Sequence, residues 1–259
     1  MALLLEEGVR YPFRGDRPID RLAVGGLLGI ITAILFQFGA AAYPSLLSAL
    51  FVGLAAVFGV ALLGYLLRVF ETTIDGDDSP PTFRPAGTVL REGSRLCLLS
   101  LGYAVVPLVV IAITIGGLLQ APFSLESAGF MGTVLFFVAS TIVLVVVLAF
   151  GYSYPAAVGR LADNGTLRGA VDLRRTRSVL GHSSYATAWL FASLVVIPGW
   201  AFLLTALSSA TLFGVVAVFV TFYAHVVATR LVARGYRNAT AGSYGRTSMG
   251  TNSRKIETE

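Results

Sequence analysis

His225 and Gln37 are the side chains in this 259-residue sequence that place chemistry inside apolar stretches. A histidine facing the interior of a helical bundle can relay protons or bind a cation. It can equally hydrogen-bond a neighbouring helix. No carboxylate lies within the apolar stretches to pair with His225, and that favours the packing role. Gln37 differs from the hydroxyl residues around it, because an amide has to find an interhelical partner. Together Gln37 and His225 form a candidate intramembrane polar site, where a path for a small solute would run if the protein were a transporter or channel.

The remaining candidates are weaker. His182 adjoins Ser183 and Ser184, but adjacency is not a triad, and there is no Gly-x-Ser-x-Gly elbow. An enzyme acting on lipid would rest on that histidine and nearby arginines alone. Asp75-x-Asp77-x-Ser79 resembles a calcium loop, but lacks the downstream Gly and Glu of one, so it reads as a solvated acidic turn. Cys97 is the single cysteine, which excludes an internal disulfide. The chain has no phosphate-cradling loop, no zinc-type His pair and no CxxC. The expectation is therefore no catalytic residue, no metal and no cofactor, with the balance against an enzyme.

The elements that must position these residues are membrane helices. The chain is 56% apolar and 13% charged, about half the charged share of a soluble domain. Six apolar stretches run over 22–42, 46–69, 97–119, 128–152, 185–206 and 209–229. Each is long enough to cross ~30 Å of hydrocarbon at about 1.5 Å per residue. Tyr43-Pro44-Ser45, Gln120 to Ser127 and Leu207-Ser208 join them in pairs. The predicted fold class is an all-α polytopic membrane protein, six transmembrane helices as three hairpins. Gly25 and Gly29 form a Gly-x-x-x-Gly pair, which lets helix backbones approach closely, against another span or another subunit.

Every Lys and Arg falls on one side of the membrane that these spans define, as does every acidic residue except Glu126. Juxtamembrane cations are retained on the cytoplasmic side during insertion. Both termini and the two long loops are accordingly expected in the cytoplasm, with the protein in the cell membrane. The first long loop runs from Phe70 to Leu96. The second, Ser153 to Ser184, alternates apolar residues with Arg160, Arg168, Arg174, Arg175 and Arg177 about an Asn164-Gly165-Thr166 turn. That pattern predicts two short amphipathic helices on the inner surface, their arginines touching anionic headgroups. Residues 1–21 form a cytoplasmic interfacial segment, 22–234 the transmembrane domain, and 235–259 a tail too polar to fold. The net charge of +5 is spread over juxtamembrane segments, a lipid-facing distribution and not a nucleic-acid one.

Several segments together are similar to an integral membrane family, domain of unknown function 4013, associated chiefly with archaea. They are Arg10-Tyr11-Pro12-Phe13-Arg14-Gly15-Asp16, Val24-Gly25-Gly26-Leu27-Leu28, Gly64-Tyr65-Leu66-Leu67-Arg68, Pro80-Pro81-Thr82-Phe83, Tyr154-Pro155-Ala156-Ala157 and Ala233-Arg234-Gly235-Tyr236. Arg84-Pro85-Ala86 departs from the acidic and aromatic residues expected there. The resemblance implies an archaeal membrane protein and carries no activity, ligand or site residue. A structural or interaction role follows as the leading expectation, with anionic membrane lipids, a membrane protein or a second copy of the chain as partner. The orientation is checked by tagging each end of the chain in sealed cells: both tags should resist external protease until the membrane is opened, and external digestion of the C-terminal tag would reverse the assignment.

Overall fold

A computed structural model describes residues 2–15, 17–119, 129–207 and 212–256, and among these it contains helices and turns and no strand. The expected connections Gln120–Ser127 and Leu207-Ser208, with Glu126, lie mostly outside the described residues. The elements are α1 (Ala2–Arg10), a 3-10 turn (Tyr11–Phe13), α2 (Pro18–Ala41), α3 (Leu46–Asp75), α4 (Ala86–Leu119), α5 (Gly129–Asn164), α6 (Leu167–Ala170), α7 (Leu173–Leu180), α8 (Ser183–Leu207) and α9 (Leu212–Ile256). Six of them, α2, α3, α4, α5, α8 and α9, are long and apolar enough to cross a membrane. The protein is thus an all-α, multi-pass membrane protein.

Local chemistry sets several of the ends. Pro18 opens α2, where its missing N–H costs nothing. Gly76 closes α3 with φ at 90°. Its N–H donates to Thr73 O (3.2 Å) and that of Asp77 to Thr72 O (2.9 Å), the paired bonds of a Schellman cap, which favours glycine because of the left-handed turn.

α9 is the centre of the bundle. Of its most apolar stretch 56% is buried, against 0–17% in the other five spans. It packs on α8, α3 and α2, and α1 lies along its basic half. Small residues make these approaches possible. The Gly25 and Gly29 face of α2 lies on α9: a Cβ at Gly25 would stand 2.1 Å from the Phe222 ring, and one at Gly29 2.7 Å from Val218 Cγ1. The partner of this glycine pair is therefore another span of the same chain. A closer approach joins α3 to α4, where a Cβ on Gly64 would fall 1.9 Å from the Val89 carbonyl oxygen and one on Gly93 1.9 Å from that of Val60.

The tightest packing lies at the end of the bundle that carries the arginines. Leu67, Phe70, Leu96, Leu99, Ala156, Ala157, Leu161, Tyr185, Ala233 and Tyr236 form one buried cluster there. Away from it the spans loosen, and residues such as Ile113, Phe130, Phe137 and Ile197 are exposed. Those side chains face lipid, an apolar solvent in which exposure costs them little.

Three features differ from what the sequence predicts. First, α5 continues through Pro155 to Asn164, so the first of the two short inner helices is the end of a span. Proline inside a helix removes one N–H and frees the carbonyl four residues earlier. That carbonyl belongs to Gly151, and it accepts the Trp189 indole N–H at 3.0 Å. Tyr185 Oη donates to the next carbonyl, Tyr152 O, at 2.7 Å. α8 thus repairs the interruption. The second half of the loop forms α6 and α7, and α7 buries Thr176 and Val179 while exposing Arg177. Second, the loop from Phe70 to Leu96 contracts to residues 76–85, because α3 and α4 both extend past the apolar stretch. Third, the expected disordered tail from residue 235 is helical as far as Ile256. Tyr236 (1% exposed) and Ala239 (1%) belong to the core. The Tyr236 ring covers Gly159, where a Cβ would lie 2.5 Å from its Cδ2, and this contact outweighs the polar composition around it.

The glycine contacts give a direct test. Gly64→Ala puts a methyl group into a backbone carbonyl and should cost about 1–3 kcal/mol, read as a lower midpoint in reversible detergent unfolding. Gly53, with nothing within 4 Å of its would-be Cβ, serves as the contrast: Gly53→Ala should be neutral or stabilising by up to about 1 kcal/mol. Equal midpoints for the two variants would contradict this packing.

Candidate functional site

The arginine-bearing end holds most of the polar structure. Arg230 sits near the end of the apolar part of α9 and is only 3% exposed. A buried guanidinium has to be paired and hydrogen-bonded. Its Nη1 donates to Thr73 Oγ1 (3.0 Å) and to the Asp77 carbonyl oxygen (2.7 Å), while Nη2 pairs with Asp78. The guanidinium carbon stands 4.4 Å from the centroid of the Tyr11 ring, a cation–π contact. Burial holds the Tyr11 phenol above its ordinary pKa, with the Thr72 hydroxyl and the Arg230 charge opposing, so the ring stays neutral. Arg14 also approaches Asp78, at 3.6 Å.

The acidic turn is exposed over residues 75–79, as expected of a solvated turn, and is at the same time fastened to the bundle. Asp77 Oδ1 accepts the Ser79 N–H (3.0 Å) and hydroxyl (2.8 Å), and these bonds hold its carboxylate below its ordinary pKa. Beyond the turn, Pro80 is buried and Phe83 stacks on Tyr65 with centroids 4.2 Å apart. Phe222, which covers Gly25, lies 5.7 Å from the same Tyr65 ring. Arg68 fastens the rest of the loop: Nε bonds Glu92 at 2.6 Å, and Nη1 donates to the carbonyls of Thr82 (3.1 Å) and Arg84 (2.8 Å).

This geometry divides the arginines into two groups. Arg10 pairs with Glu6 and Arg234 with Glu7. Arg21 and Arg237 donate to the carbonyls of Arg14 and Thr73. Arg160, expected at lipid headgroups, is 9% exposed and donates through Nε to Gly169 O at 2.9 Å. It ties α6 back to α5 and is withdrawn from the surface, because α5 does not end before it. Arg17, Arg84, Arg91, Arg168 and Arg177 are exposed and make no ion pair among the described residues. The side chains of Arg174 and Arg175 lie outside the described ones.

The intramembrane candidates separate. Gln37 is exposed on α2 and lines neither of two grooves that His225 lines. His225 is half-buried and lines both grooves. One groove, about 390 Å³, lies among α3, α5, α8 and α9, with Leu96 of α4 at its edge. The other, about 440 Å³, lies among α2, α3, α8 and α9. Among the described residues no charged one lines either groove. The structure does not join Gln37 and His225 by a polar path. His182 lies in the turn into α8, where its carbonyl accepts the N–H groups of Tyr185 and Ala186 at 3.1 Å. Trp200, which packs edge-on to His225 with centroids 5.6 Å apart, has no signal in the sequence. It is a tryptophan in an apolar run, and only the crossing of α8 with α9 brings it there.

A family model described as "Protein of unknown function (DUF4013)" matches residues 46–207, from the start of α3 to the end of α8. No curated protein and no solved structure matches the chain.

Arg230→Met keeps the bulk and deletes the charged hydrogen bonds. It should destabilise the protein by about 2–3 kcal/mol, with faster amide exchange across residues 76–85. Arg177→Gln, on the exposed side of α7, should leave both unchanged. Unaltered exchange in Arg230→Met would show that the acidic turn is held by something else.

Proposed function

The chain belongs to DUF4013, a family of proteins of unknown function, and on that premise we propose an interaction role: a multi-pass protein of the cell membrane whose basic end faces the cytoplasm and binds anionic lipid headgroups. One observation carries the reading. After the internal pairs are formed, Arg17, Arg84, Arg91, Arg168 and Arg177 remain exposed at one end of the bundle with no internal counter-ion among the described residues. Cations at the hydrocarbon boundary are attracted to anionic headgroups by roughly 1 kcal/mol each. Phe13 and Val9 are exposed beside Arg10 and Arg14, and such apolar residues enter the same interfacial layer. The one-sided distribution of arginine supports the cytoplasmic assignment, since insertion retains cations on that side.

The measurement is the lipid that stays with the protein. Extracted in a native-membrane polymer disc, it should be enriched in anionic over zwitterionic lipid. Replacing Arg17, Arg84, Arg91, Arg168 and Arg177 together by Gln should abolish the enrichment without loss of fold. Raising the salt should weaken it in the original protein, because exposed charges are screened within about 8–10 Å at ~0.1–0.15 M ionic strength. Enrichment unchanged in the substituted protein would remove the basis of the reading, and a stoichiometric protein retained instead of lipid would transfer the surface to that partner.

A further inference from the structure

The second groove contains two polar atoms without partners, at membrane depth. His225 Nδ1 lies 2.7 Å from Thr221 O. A carbonyl oxygen only accepts, so Nδ1 carries the proton and the neutral ring leaves Nε2 as an acceptor. No described residue donates to it. The Trp200 indole N–H, a donor only, likewise has no acceptor among the described residues. Both side chains line the groove, and their rings meet at 73°. The other polar groups there are already satisfied. Thr32 Oγ1 donates to Leu28 O at 2.7 Å. Thr221 Oγ1 is shared between Gly199 O (2.9 Å) and Ala217 O (2.7 Å).

An open donor beside an open acceptor in hydrocarbon is costly, because no solvent there can hydrogen-bond either one. A hydroxyl is at once a donor and an acceptor, the combination that these two nitrogens call for. The remainder of the groove is apolar, with Phe36, Leu62, Leu203 and Val218 among its walls, and Phe36 (60%) and Trp200 (48%) are exposed toward lipid. Access is therefore from within the bilayer. Among the described residues no charged one lines this groove, which favours a neutral ligand over a phosphate or carboxylate as the anchored group. Its volume of about 440 Å³ falls in the ordinary range for small-molecule sites, about 300–1,000 Å³. His225 is five residues from Arg230, about 7.5 Å along the helix, so the hydroxyl sits a little below the level of the headgroups.

We propose that this groove binds a neutral, hydroxyl-bearing membrane lipid, an apolar chain or ring system ending in an alcohol. Its O–H donates to His225 Nε2, and its oxygen accepts from Trp200 Nε1. This site is separate from the arginine surface and does not depend on it.

The test uses the full chain in lipid nanodiscs, a photoreactive long-chain primary alcohol and the methyl ether of the same alcohol. The alcohol should label α8 and α9 around Trp200 and His225 saturably and be displaced by unlabelled alcohol. The ether, which lacks the donated proton, should bind about tenfold more weakly. His225→Leu and Trp200→Phe should each weaken the alcohol about tenfold toward the ether's affinity. Trp200 is half exposed, so Trp200→Phe preserves the fold if His225→Leu does not. Equal binding of alcohol and ether, or undiminished binding by Trp200→Phe, overturns the proposal. Unsaturable labelling by both probes also overturns it and leaves the two nitrogens to water.

Discussion

A guanidinium withdrawn from water has to be matched at every donor, and the arginine-bearing end of this protein is organised around that demand at Arg230. Its partners come from three separate parts of the chain: the Tyr11 ring from the N-terminal turn, Thr73 from the end of α3, and Asp77 and Asp78 from the turn that follows. Each partner has structure of its own. The turn is shaped by the glycine cap at Gly76 and leads into Phe83, which stacks on Tyr65 and lies near Phe222. Through Phe222 the same set of contacts reaches Gly25 on α2. One buried charge thus orders the N-terminal segment, the acidic turn and the entry of three spans.

Within the membrane a different rule holds. Lipid chains are as apolar as leucine, so burial of apolar side chains gives no drive for helices to associate, and close approach with interhelical hydrogen bonds has to supply it. The small residues lie where backbones meet: Gly25 and Gly29 against α9, Gly64 against Gly93, Gly235 against Ala188. Polar bonds between spans fall largely where a helix is interrupted or near its end. Trp189 and Tyr185 bond carbonyls around Pro155, and Thr221 reaches the carbonyl beside Pro198. Where neither device operates, as along the outer part of α5, most side chains are exposed.

Much of this was legible in the residues. The six apolar runs mark six spans because length and composition alone decide whether a helix can cross a bilayer. The acidic stretch around Gly76 reads as a turn, and a glycine there takes the left-handed cap without strain, although α3 runs past the end of the apolar stretch at 69 to reach it. The Gly25 and Gly29 pair marks a contact surface, although its partner was open. Other features were hidden. The stretch after residue 152 reads as a loop, and yet α5 continues through Pro155 to Asn164, because the carbonyl freed by the proline is met by the Trp189 N–H, more than thirty residues away. The segment from Gly235 reads as disordered because its composition is polar, and yet Tyr236 fills the space above Gly159. Arg160 reads like its neighbours on α6 and α7, and is buried. In each case a long-range contact overrides a local preference, and no local pattern records such contacts.

The sequence by itself determined the class of protein and the end of the bundle to which its charge belongs. Both follow from free energies of transfer, which depend on composition summed along a segment and not on neighbours in space. Only the tertiary structure decided which arginines are spent inside the protein and which remain at its surface, and that His225 meets Trp200 while Gln37 stands apart. Those outcomes depend on how helices cross, which is set by a few tenths of an ångström at glycines and by hydrogen bonds between residues far apart in the chain.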